Sequence, residues 1–181
     1  MTRRILTAAL LAALSASLAL GACDKPKERP TPPDPFASLP PEPNQTVSTA
    51  GLSKGLPRRP ELGGFTLDHA GDAHDPLNKQ PAVTSAARSI LLDGFGFDPI
   101  AKAPGKGVDV VIDGKAYGTA YGKHRPDVAN YTRTPGLAAV GFSTTLPAGT
   151  LGPGPHIALV RVVAADGAGY YESPPIRFEV K

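Results

Sequence analysis

Gly107 to Gly122 reads "GVDVVIDGKAYGTAYG". Val108, Val110 and Ile112 alternate with Asp109, Val111 and Asp113. Period-two alternation marks a strand whose two faces meet different surroundings. Asp113-Gly114 then supplies the positive-φ pair that a tight hairpin needs. Lys115, Tyr117, Thr119 and Tyr121 resume the alternation on a return strand. The device recurs in "HIALVRVVAADGAGYY", His156 to Tyr171. There Ala158, Val160, Val162 and Ala164 share one face, and Ile157, Leu159, Arg161 and Val163 share the other. Asp166-Gly167 turns the chain, and "IRFEV" closes it with Ile176, Phe178 and Val180 inward.

Outward from these hairpins, "SILLDGFGF" (Ser89–Phe97) and "LAAVGFSTTL" (Leu137–Leu146) read as two more strands. "GFTLDHA", ending at Ala70, reads as the first, and Pro147, Pro153 and Pro155 mark the loop before His156. No stretch carries an apolar period of 3.6. Six to eight short strands with turn signals between them predict an all-β fold, an immunoglobulin-like antiparallel β-sandwich over residues 63–181. That length buries roughly two-thirds of its surface in one core. With one Cys and no Trp, the core cannot be the disulfide-and-Trp core of an antibody domain.

The N-terminus has a different character. Arg3 and Arg4 precede the uncharged apolar run Ile5–Leu20, and small residues lead to Cys23. This is the order of an export signal, and the run is marginal as a spanning helix. From Asp24 to Pro60 lie ten of the 21 prolines and few large apolar residues. Such a segment cannot offset its ordering entropy and reads as a disordered Pro-rich tether, residues 23–62, with an upper reach of roughly 110 Å. Without Arg3 and Arg4 the chain has 17 basic and 16 acidic residues, a net of +1. Nothing in that balance supports nucleic-acid binding.

"LGAC", Leu20 to Cys23, resembles the lipobox of bacterial lipoproteins. The resemblance implies a signal peptide (1–22) cut before Cys23, a diacylglycerol on its sulfur and an acyl chain such as palmitate on its new amino group. Several acyl chains at about 0.8 kcal/mol per buried CH₂ anchor a protein stably to a membrane. The expected location is the bacterial cell envelope, at the periplasmic face or cell surface. Asp24 gives a lean toward the inner membrane by the enterobacterial sorting rule.

The later residues also resemble a bacterial Ig-like module. The shared features are Gly94 and Asp98, Val108 to Gly114, Arg125-Pro126-Asp127-Val128, Gly141-Phe142, Leu151 to His156, and Asp166-Gly167. Phe95-Gly96 stands where such modules commonly have Trp-Ala. The resemblance implies a non-catalytic accessory or interaction domain and no particular ligand. Enzyme signatures agree with that expectation, since the chain has no G-x-S-x-G, P-loop, H-E-x-x-H or dinucleotide fingerprint.

Two clusters could carry a site. In "GKHRPDVANY", Gly122 to Tyr131, Arg125 is expected to pair with Asp98, Asp109 or Asp113, and Asp127 to cap a short turn. The functional alternative makes Arg125, Asp127 and Tyr131 a sugar or anion contact. In "LDHAGDAHDP", Leu67 to Pro76, His69, His74 and Asp72 are a weak metal candidate. Their spacing fits no known metal motif, so a solvated polar loop is the preferred reading and no cofactor is expected. The expected function is a membrane-anchored interaction or scaffold module contacting another envelope protein. The alternative is a carbohydrate- or peptidoglycan-binding module stacking a glycan on Tyr117, Tyr121, Tyr131, Tyr170 and Tyr171.

Overall fold

A computed structural model describes residues 51–181 and, ahead of them, the backbone of Thr46–Val47. The signal peptide, Cys23 and the rest of the tether through residue 50 lie outside the described residues. In chain order the strands are β1 (Thr46–Val47), β2 (Gly64–Ala70), β3 (Ala73–His74), β4 (Val83–Thr84), β5 (Ile90–Asp98), β6 (Ala103–Pro104) and β7 (Gly107–Ile112). They continue as β8 (Lys115–Gly118), β9 (Ala120–Lys123), β10 (Gly141–Leu146), β11 (Gly154–Val163), β12 (Tyr170–Glu172) and β13 (Ile176–Val180). A short helix α1 (Pro126–Thr132) and a 3-10 turn (Pro135–Leu137) lie between β9 and β10.

The strands form a two-sheet β-sandwich. The first sheet runs β1-β9-β10-β5-β2-β3, with β6 also on β5; the second runs β4-β13-β11-β7-β8, with β12 also on β11. Every pairing between these strands is antiparallel except β4 with β13. Lettered in chain order, β2, β5, β10 and β9 make the A-B-E-D sheet, and β13, β11, β7 and β8 make G-F-C-C′. That is the immunoglobulin order.

The alternating residues meet between the sheets. Ile90, Leu92 and Phe142 from one side face Val108, Val110, Ile112, Val160, Val162 and Ile176 from the other, all at most 2% exposed. Each such side chain contributes about 1.5–3 kcal/mol by leaving water. Gly96 sits where the sheets approach closely: a Cβ there would lie 2.7 Å from Val162 and 2.9 Å from Val108. Its neighbours Phe95 and Phe97 point outward to a second small core under α1, with Val128, Leu137 and Val140. At the end of β5, Asp98 is 2% exposed. Burial pushes its carboxyl up, but the backbone N–H groups of Ala101, Ala165 and Ile100 and the Tyr171 hydroxyl outweigh this and hold it below the usual range.

The Asp113-Gly114 hairpin forms as the sequence predicts, with φ of 48° and 83°. Its return strand does not run through to Tyr121. The chain leaves the second sheet after Gly118 and joins the first at Ala120. Thr119, 1% exposed, marks the crossing, and its hydroxyl donates to the Val108 carbonyl at 2.7 Å. The strand expected over Leu137–Leu146 begins only at Gly141, because Pro135 starts a 3-10 turn that buries Leu137 under the first sheet's outer face.

Residues 51–62, which the sequence reading places in the tether, lie against the sandwich. Asp109 is fully buried and accepts hydrogen bonds from Ser53 N (2.8 Å), Ser53 Oγ (2.7 Å) and Leu52 N (3.3 Å). Further along, Arg59 N donates to the Tyr170 carbonyl at 2.8 Å, and its guanidinium donates to the Tyr171 hydroxyl at 3.0 Å and to Asp166. Arg58 pairs with Glu172 at 3.4 Å. Leu52 and Ser53 of this strap thus lie on the outer face of the second sheet at β7, and Pro57–Arg59 run along the edge of β12, where Arg58 bridges Tyr170.

Candidate functional site

On the first sheet the two sequence clusters become one surface. Leu67 and Ala70 of β2 point into the core, so Thr66 and His69 point out. A β-bulge between Leu67 and His69 leaves Asp68 without a partner on β5. Bulges re-aim side chains, and here the Asp68 carboxyl reaches across the outer face to Arg125. Arg125 Nη1 donates to Asp68 Oδ2 at 2.6 Å. Its Nε and Nη2 grip Asp127 at 2.9 and 2.7 Å, and its guanidinium lies 5.1 Å from the centre of the Phe95 ring. A planar fork can satisfy two carboxylates and stack on a ring at once, which an ammonium cannot.

The expected partners of Arg125 are therefore corrected. Asp98 faces inward and is filled by backbone donors; Asp109 belongs to the opposite sheet and holds the strap; Asp113 binds His156. Asp127 is not the N-cap residue, although its carboxyl does accept from backbone N–H groups of the first turn, its own and that of Val128. It is the second residue of α1, whose first residue is Pro126 and which carries no side-chain cap. Arg125 chiefly holds its carboxyl below the usual range. The two carboxylates in turn raise Arg125.

Beside this corner lies an open cleft of about 470 Å³, lined by Asp68, His69, His74, Asp75, Leu77 and Asn78. His69 Nδ1 is 2.6 Å from Asp93 Oδ1, and the His69 and His74 rings meet edge to face at 4.5 Å between centres. Asp72 is not part of this group. It turns away to Arg88 at 2.7 Å, so the triad His69, His74 and Asp72 does not assemble. Among the described residues no three His, Cys, Asp or Glu side chains converge as metal ligands. Ser143 and His69 are cross-strand neighbours of Asp93 on opposite sides. A relay needs the imidazole between hydroxyl and carboxylate, and here the carboxylate is in the middle.

The five tyrosines do not form a stacking platform. Tyr121 and Tyr171 are buried, their hydroxyls bonded to Gly96 O and Asp98. Tyr117 and Tyr170 are half-buried in the second sheet under Lys115 and Arg161. Tyr131, 90% exposed, is alone on the helix that carries Asp127. Of the large apolar side chains that stay exposed, Leu77 lines the cleft, Leu91 stands on β5 and Tyr131 on α1.

What sequence reading missed was Asp93 and the bulge that brings Asp68 to Arg125. Asp93 was visible only as an outward residue of a strand, with no spacing to tie it to His69 on another strand. Comparison with known proteins finds no matching family model, no matching curated protein and no matching solved structure.

Proposed function

We propose that the chain is a lipid-anchored protein of the bacterial envelope whose sandwich is a non-catalytic interaction module. The outer face of its first sheet meets another envelope protein. The signal-like N-terminus ending in Cys23, the Pro-rich tether and the Ig-like resemblance support the setting. Asp24 favours the inner membrane. The observation that carries the choice of face is the strap. Leu52 and Ser53 occupy the outer face of the second sheet at Asp109, while the first sheet keeps an open cleft lined by His69, His74 and Leu77. Binding residues concentrate on loops held by a rigid scaffold, and α1 with its Arg125 corner is such a loop.

The test is photo-crosslinking in intact cells, with the reactive residue placed at Leu91, Tyr131 or Ile157. Ile157 is comparably exposed but belongs to the strapped sheet. Discrete adducts to one protein from Leu91 and Tyr131 and not from Ile157 are expected. Equal labelling at all three, or none at any, overturns the reading. Mass spectrometry on wild type and Cys23→Ser checks the anchor separately: an unacylated soluble product from both would remove it.

A further inference from the structure

We propose that His69 and His74 form a two-imidazole site for a divalent transition ion, Cu²⁺ or Ni²⁺ before Zn²⁺. The two residues are cross-strand partners on β2 and β3, on the outer face and at the mouth of the cleft. Their ring centres are 4.5 Å apart at an interplanar angle of 71°. A metal–nitrogen bond of about 2.0–2.1 Å puts an ion about 3.1 Å from each ring centre. Two rings at a right angle about one ion then stand about 4.4 Å apart, and at a tetrahedral angle about 5.1 Å. The observed 4.5 Å lies within that reach, and a pair of imidazoles with open positions suits Cu²⁺ and Ni²⁺ better than structural zinc, which takes four protein ligands.

The tautomer fits as well. A carboxyl oxygen of Asp93 faces His69 Nδ1 at 2.6 Å, so that nitrogen carries the hydrogen and Nε2 carries the lone pair. A ligating imidazole held by a carboxylate through its other nitrogen is the usual second-shell arrangement at metal sites. The neighbouring ring, His74, is exposed, and no hydrogen bond to its ring nitrogens is found among the described residues. Among the described residues no third His, Asp or Glu converges, which leaves the remaining positions for water. The site is therefore open to a further ligand from the cleft side. This inference is independent of the anchor and of the partner proposed above, because it needs only the folded sheet.

The test uses the full chain carrying Cys23→Ser, which removes the one thiol that would bind such ions by itself. Titration with Cu²⁺ followed by calorimetry is expected to give one site. His69→Gln and His74→Gln should each weaken it at least about tenfold, and Asp93→Asn about tenfold through loss of orientation. His124→Gln should leave it intact. His74→Gln is the safest variant for folding, since it breaks no hydrogen bond, and circular dichroism checks that each variant remains folded. Electron paramagnetic resonance of the Cu²⁺ form should show coupling to two imidazole nitrogens. Absence of binding, binding that survives both histidine changes, or loss in only one of them overturns the paired site.

Discussion

The two outer faces of this sandwich are finished in opposite ways. On the second sheet, chain from the N-terminal side lies over β7 and along the edge of β12, and a fully buried carboxyl, Asp109, accepts three hydrogen bonds from it. On the first sheet, the only cover among the described residues is α1 and its 3-10 turn over Phe95 and Phe97, and the β2–β3 end is left open. Both faces use charged groups, but for different purposes. Asp109 is desolvated and spends its acceptors on a backbone segment. Arg125 is 21% exposed, with partners at 34% and 62%, and sits at the rim of an open surface. A buried group that loses its partner costs about 1–3 kcal/mol, whereas half-exposed pairs are worth less. The strapped face should therefore govern stability and the open face recognition.

The strongest attempt to break that contrast is Asp109→Ala. It strands Ser53 N, Ser53 Oγ and Leu52 N, and a loss of about 2–3 kcal/mol is expected in urea unfolding. The strap also contains Lys54, Arg58 and Arg59. In wild type Arg59 N and its guanidinium are bonded, so tryptic cleavage after Lys54 and Arg58 should be slow (Pro60 blocks it after Arg59), and in Asp109→Ala it should become fast while the sandwich stays intact. A strap as protected in the variant as in wild type would show that Asp109 is not what holds it. Arg125→Met should cost less, about 1–2 kcal/mol, because water replaces part of each ion pair. Arg125→Lys should recover little of it, since an ammonium cannot serve Asp68, Asp127 and the Phe95 ring together. Equal losses for Asp109→Ala and Arg125→Met would erase the distinction between the faces.

The contrast was only half legible in the sequence. Alternation at Val108–Ile112 and Ala158–Ala164 located the inward faces correctly, because core-facing side chains recur every second residue even in β7, whose other face is buried as well. The Asp-Gly turns were legible for the same local reason. The strap was not. Its prolines and charged residues read as tether, and only the tertiary encounter of Ser53 with Asp109, 56 residues away, makes part of it structure. Asp109 gave a faint signal, as a carboxyl in an otherwise apolar strand, but it was read as a candidate partner of Arg125 rather than of the strap. Asp68 was hidden too. A bulge shifts the register by one residue, and no pattern in "GFTLDHA" announces it. The departure at Phe95-Gly96 becomes intelligible in three dimensions: Phe95 lies beneath Arg125, and Gly96 gives the sheets room at Val162 and Val108.

A smaller effect separates the faces from the rim. His156 Nδ1 is 2.6 Å from Asp113 Oδ2, and its Nε2 is 2.8 Å from the Gly152 carbonyl. Both nitrogens face acceptors, so the doubly protonated ring is the form that fits. Burial lowers its pKa, but the Asp113 and Gly152 bonds outweigh burial and raise it above its ordinary value. A His raised in the folded state contributes stability that is complete below its unfolded value of about 6.5 and is lost as pH rises through the folded value. Asp113 is lowered, chiefly by the same bond, so its share is complete above its unfolded value of about 3.9 and lost as pH falls through the folded one. Stability from this pair should peak between those limits, and His156→Gln should flatten the alkaline side in thermal unfolding from pH 6 to 9. Neither Asp109→Ala nor Arg125→Met should alter that slope, since neither residue touches the pair. A slope that persists in His156→Gln would assign the pH dependence elsewhere.

The smallest stability change belongs to Tyr131→Ser, and it is the sharpest test of what the open face is for. Tyr131 is 90% exposed on α1, and the helix is held by Val128 and Leu137 packing on Phe95 and Phe97 rather than by this ring. Replacing an exposed side chain away from such packing usually changes stability by no more than about 0.5 kcal/mol. Thermal unfolding of Tyr131→Ser should therefore overlay wild type. Its effect should appear in recognition, because an exposed aromatic ring next to a rigid charged corner is the kind of side chain that anchors an interface. Loss of crosslinked adduct from Leu91 in Tyr131→Ser cells, with unfolding unchanged, would place function on the open face and stability on the strapped one. If unfolding shifts by more than 1 kcal/mol, the ring is instead part of how α1 is held, and the two faces are less divided in their roles than their geometry indicates.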